Sequence, residues 1–120
     1  MKDWIQKQQR FQKDNICTRL GNLASNLAHI KSFSDDPAHG DLVLSLVEET
    51  KFFIEWTAPE MDIEQAVELV DLQRLLSQWQ RSWGQVWIDT AKRTQVAKLA
   101  SIWSDRVLEM SGLLSETVAH

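Results

Sequence analysis

The side chains best suited to metal binding or nucleophilic chemistry in this chain are His29, His39, His120 and Cys17, and their spacing supports neither. Carboxylate-bridged metal sites in helical proteins need Glu-x-x-His pairs facing inward. No histidine here lies three residues after a glutamate. Zinc needs about four clustered Cys, His or carboxylate ligands, and one cysteine with three scattered histidines does not supply them. Gly21, Gly40, Gly84 and Gly112 are isolated, so no loop of successive backbone N–H groups cradles a phosphate. Cys17 has no histidine beside it to activate a thiolate and reads as a small buried hydrophobe. The expectation is a protein without catalytic residues, metal or cofactor.

Two sets of residues carry more information. Asn15, Arg19, Asn22, Asn26 and His29 recur at 4-3-4-3 spacing, each one position before a residue of an apolar stripe. They line one margin of a helix as a solvated flank, as amides bonding across to neighbouring helices, or as a polar groove for a ligand. Glu49, on the following helix, is the expected partner of Arg19 or His29. The second set is six tryptophans with no tyrosine. Trp79, Trp83 and Trp87 fall at i, i+4 and i+8, a ladder on one helical face if no break intervenes. Tryptophan fills wide cores, and it is also prominent among interface hot spots. Trp79 and Trp83 lie on the core stripe and are expected inside. Trp87 lies one position off it, before the polar run Asp89-Thr90-Ala91-Lys92-Arg93, and is expected exposed as a partner anchor.

Leu27-Ala28-His29-Ile30-Lys31-Ser32 resembles, in part, the motif of histidine-phosphotransfer domains, helical bundles of this size in which an exposed His is followed by Lys and Gly. Lys31 follows by two positions where that motif has three, and Ser32-Phe33 stand in place of its Gly. The resemblance implies phosphoryl acceptance at His29. The residues favour an ordinary helix-end histidine held in the bundle, with its charge opposing the helix dipole.

The elements that must position these residues are helices. Ile16, Leu20, Leu23, Leu27 and Ile30 give the stripe of a first helix over Asp3–Ser32, whose first half is polar and out of phase. Ser34-Asp35-Asp36-Pro37 or Gly40-Asp41 starts a second helix running to Trp56. Its main stripe is Leu42, Leu46, Phe53 and Trp56, with Val43, Val47 and Ile54 beside it and Glu49 and Thr50 interrupting the two. Asp62 and Gln65 are placed for a capping box before a third helix carrying Leu69, Leu72, Leu76, Trp79, Trp83 and Val86. Gly84 either ends that helix or lies inside it, and the stripe favours continuation to Asp89 or Thr90. Val96, Ala100, Trp103, Val107, Met110 and Leu114 mark a fourth, fraying near Val118. The fold expected is all-α: one domain, residues 1–120, an up-and-down antiparallel four-helix bundle, elongated because a 30-residue helix is about 45 Å long.

Charge is segregated. Residues 1–31 carry six Lys/Arg against two Asp, residues 32–72 eleven acids against Lys51 alone, and residues 73–120 six basic against four acidic. A basic first helix beside acidic neighbours accounts for this, and the same faces suit docking to a protein partner. The net charge of −4 disfavours nucleic acid. The most apolar run, Leu42 to Val47, is far short of the roughly 20 residues of a membrane span. The N-terminal residues lack the apolar run of a secretory signal, and the unpaired cysteine suits a reducing compartment, so a cytoplasmic location is expected. Phe52-Phe53-Ile54-Glu55-Trp56-Thr57-Ala58-Pro59 resembles a stretch of small all-helical proteins of cyanobacterial type, a resemblance that carries no activity. The function expected is a non-enzymatic helical protein–protein interaction or adaptor module, with homo-oligomerisation open, and Trp79, Trp83 and Trp87 as its contacts. The alternative is a ligand-binding or regulatory bundle acting through the polar margin or His29.

Overall fold

Aspartate or asparagine caps punctuate the chain, and they set its element boundaries. The computed structural model describes residues 3–112, so His120, Leu114 and the fraying expected near Val118 lie outside the described residues. Among these residues every regular element is helical: α1 (Trp4–Gln12), α2 (Ile16–Phe33), α3 (Gly40–Thr57), α4 (Ile63–Arg81), α5 (Trp83–Ile88) and α6 (Thr90–Ser111), with short 3-10 turns at Pro37–His39 and Ala58–Glu60. Asp3, Asn15, Asp36, Asp62 and Asp89 each accept a hydrogen bond from a backbone N–H just inside the following helix. Such a cap contributes about 1 kcal/mol, because the first N–H groups of a helix have no partner within it. At the other end of the chain Gly112 closes α6 with φ of 77°, a conformation a Cβ would resist.

The all-helical class is as read from sequence, but among the described residues there are six α-helices rather than four. Two of the anticipated helices are broken. The first breaks at Lys13–Asn15: Asn15 is extended, and its Oδ1 accepts from the Thr18 N–H at 2.9 Å. The break lets α1 turn its own apolar residues, Trp4 and Phe11, onto α3 instead of projecting along the α2 axis. The molecule is consequently 41 × 35 × 22 Å rather than a long rod. It also puts Cys17 in the first turn of α2, off the core stripe, where the thiol is exposed rather than buried. The other break comes at Ser82, not at Gly84, which lies inside α5 with open space where a Cβ would be.

α2 is the centre of the packing, with its longest contacts to α6 and α3, while α4 packs chiefly on α3. Leu20, Leu23, Leu27 and Ile30 of α2 are all buried, as their spacing requires. On α6 the buried positions are Val96, Ala100, Ser104, Val107 and Ser111. The small side chains let α2 and α6 approach, and the Ser104 hydroxyl donates to the Ala24 carbonyl at 2.9 Å. On α3 the row Val43, Val47, Thr50, Ile54 and Thr57 is buried, and so are Phe53 and Trp56 of the stripe that Leu42 heads, whereas Leu42 itself is exposed. The core side of α3 thus spans both rows. Thr50 fits the core because its hydroxyl is satisfied by the Leu46 carbonyl at 2.6 Å. No helix of the described residues is long and apolar enough to cross a membrane.

Candidate functional site

Within the polar margin of α2, Arg19 and Asn26 are turned inward to fasten neighbouring segments, Asn15 caps the helix, and Asn22 and His29 are exposed. Arg19 is buried, one turn into α2, and reaches back across the α1–α2 break. Its Nη2 donates to the Gln12 carbonyl at 2.8 Å and its Nε to the Asp14 carbonyl at 2.9 Å. These are acceptors that the end of a helix leaves without intrahelical donors, and a cation there also opposes the helix dipole. The Arg19 Nη1 meets Glu60 at 2.5 Å. Asn26 is buried and donates from Nδ2 to Glu49 Oε1 at 3.1 Å, while Lys7 of α1 pairs with the other Glu49 oxygen. Glu49 therefore serves Lys7 and Asn26, while the Arg19 guanidinium is spent on Gln12, Asp14 and Glu60. The reason is again the fold-back of α1, which brings Lys7 over α3. Asn15 is spent as a cap, and Asn22 is exposed at the edge of a shallow depression of about 300 Å³ lined with Lys7, Arg10, Phe11 and Asp14. The two long-range ion pairs join the basic N-terminal segment to the acidic middle one, as the charge segregation implies.

His29 is exposed on α2, with its ring centroid 6.0 Å from that of Phe33. The expectation that the bundle holds it is not met, because position 29 falls between Leu27 and Ile30 on the outer side of the stripe.

The tryptophans are largely structural. Trp79 is 6% exposed and Trp87 9%, while Trp83 is half-buried and stacks on Trp87 with centroids 5.1 Å apart. The exposure expected of Trp87 is overturned by the break at Ser82. α5 leaves the line of α4 and turns Trp87 onto the α2–α3 connection, where its Nε1 donates to the Pro37 carbonyl at 2.7 Å. Gly40 makes the seat: a Cβ at that position would stand 2.7 Å from the indole nitrogen. Arg93 closes the other side, its guanidinium 5.6 Å from the ring centroid and its Nη1 on the Trp87 carbonyl at 2.8 Å. At the far end of the molecule Trp4 packs on Phe52, Phe11 stacks on Phe53, and Trp56 contacts all four rings. That cluster is how α1 is held.

No group of three or more His, Cys, Asp or Glu side chains among the described residues is placed to hold a metal ion. What stands out instead is the outer face of α4. Ile63 is 79% exposed, Val67 56% and Val70 38%, spaced 4-3 on the side opposite the buried Leu69, Leu72 and Leu76. Glu64, Glu68 and Asp71 flank them. Towards its C-terminus the same helix borders an open groove of about 520 Å³ against α3, lined by Lys51, Glu55, Val70, Arg74, Ser77 and Arg81 among others. The signal for this face is legible in the sequence as a second apolar row, on the side of the helix away from the richer leucine row. Compared with protein-family models, curated proteins and solved structures, the chain matches none.

Proposed function

We propose that this chain is a non-enzymatic helical protein–protein interaction module, acting in the cytoplasm, whose docking surface is the outer face of α4. The four long helices α2, α3, α4 and α6 serve as an up-and-down antiparallel frame, with α1 and α5 as braces that cover its ends. One observation carries the reading: three exposed aliphatic side chains in a row on a helix whose other face is already in the core. Scattered exposed apolar residues need no explanation, but β-branched residues aligned on one helix face form a patch that water does not favour. Helices presenting i, i+4, i+7 anchors are a recurrent recognition mode. The tryptophans retain only a supporting part, through the partly buried ring of Trp83.

Val67→Lys tests it. The side chain is exposed, so stability is expected to change by no more than about 0.5 kcal/mol. In fresh extract of its own cells the wild-type chain is expected to migrate above its 13.9 kDa monomer mass, and the variant at that mass. Identical migration of the two would remove the reading.

The exposure of His29 favours a second reading, phosphoryl acceptance. On that reading, phosphoramidate labels the wild-type chain and leaves His29→Gln unlabelled; equal labelling of the two, or none, removes it.

A further inference from the structure

We infer that the partner of the α4 face is a second copy of this chain, with two α4 helices packed antiparallel about a two-fold axis. The inference rests on the interaction reading above and adds the occupant.

The outer row of α4 does not stop at Val70. Ile63, Val67, Val70, Arg74, Ser77 and Arg81 recur at 4-3-4-3-4, the spacing of a helix–helix seam. The two halves of that row differ in kind. The N-terminal half is an aliphatic ridge flanked by Glu64, Glu68 and Asp71. The C-terminal half has no acidic residue after Asp71; it carries Arg74 and Arg81 and is one wall of a groove to which α3 contributes Lys51 and Glu55. A ridge with acidic flanks and a groove with three basic side chains against one acid are complementary, and α4 contributes to both.

A two-fold axis near the middle of α4 satisfies both at once. It lays the ridge of each copy in the groove of the other, and it sets Glu64 and Glu68 of each copy beside Arg74 and Arg81 of the other. An isologous contact of this kind needs one self-complementary patch, because residue i meets residue j and j meets i. Parallel packing of the same two faces would instead oppose acid to acid and base to base. Among the described residues Glu64, Glu68 and Arg81 form no ion pair, and Arg74 is 3.7 Å from Asp71 on the surface, so these charges can pair across the axis. Nineteen residues give a contact about 28 Å long. One helix face and one groove wall fall below the roughly 800 Å² per partner of a standard stable interface, so the dimer is weak and concentration-dependent.

Sedimentation equilibrium of the purified full chain over a wide concentration range reads this out, with three proteins: wild type, E64K/E68K and R74E/R81E. All four substituted side chains lie on the outer part of α4, and circular dichroism checks that each variant keeps its helix content. The wild type is expected to dimerise reversibly. R74E/R81E makes the face wholly acidic and E64K/E68K leaves Asp71 as the one acid of the flank, and each variant is expected to self-associate at least about tenfold more weakly. An equimolar mixture of the two variants is expected to restore dimerisation, because a predominantly basic face then meets an acidic one. A wild type monomeric at every concentration would overturn the inference, as would variants that dimerise like it or a mixture that stays monomeric. If the wild type is monomeric alone while a Val67→Lys-sensitive complex persists in cell extract, the second copy is excluded and the interaction reading stands. If both are absent, both fall.

Discussion

Leu23→Ala and Leu76→Ala are each expected to lower the unfolding free energy by about 2–5 kcal/mol, with the Leu23 variant the more damaged. Both side chains are fully buried, so each truncation removes apolar contact and leaves a void. The difference between them comes from the neighbours. Leu23 sits on α2, which is packed against α6 and α3 together, and a helix held on two sides has little room to collapse into the space. Leu76 sits on α4, which packs chiefly on α3 and can shift inward to close part of its void. Urea denaturation followed by circular dichroism measures both. A loss below about 0.5 kcal/mol at either site would contradict the helix phase assigned here, since that is the range of an exposed position.

Trp87→Ala is expected to cost about 3 kcal/mol or more of stability and to leave association unchanged. The ring fills the seat over Gly40, stacks on Trp83 and lies under Arg93, and its N–H is the donor to Pro37. Its removal undoes the tie between α5 and the α2–α3 connection. Thermal melting paired with sedimentation separates a brace from a partner anchor. A variant that melts like wild type but fails to associate would return Trp87 to the interface and contradict the packing described.

The helical stripes of α2 and α4 were legible in the sequence because a run of Leu and Ile at 4-3 spacing has one reading. The register of α3 was harder, since one of its core rows passes through Thr50 and Thr57 and the neighbouring row holds the larger Leu42 and Leu46. Thr50 counts as polar until its hydroxyl is seen bonded within the helix. The same holds for Ser104 on α6. The breaks at Asn15 and Ser82 escaped for a different reason. Neither segment holds a proline, and what interrupts them is tertiary: aromatic residues of α1 and α5 find burial only if the chain turns. Those turns decide the site. They convert Arg19, Asn26 and Glu49 from a supposed groove into fasteners and take Trp87 inside, and they leave α4 with the exposed apolar row.

Whether that row is covered in the working protein is measured most directly by the reactivity of a thiol placed on it. In a Cys17→Ser background, Val67→Cys is alkylated in dilute purified protein and in intact cells, with Asp105→Cys on the exposed side of α6 as the reference. Position 67 is expected to react as fast as position 105 in the dilute monomer and at least about tenfold more slowly than it in cells, as for the buried centre of an interface. Equal rates at the two positions in both settings would show that the α4 face stays open to water, and would contradict the claim that it is where this protein meets its partner.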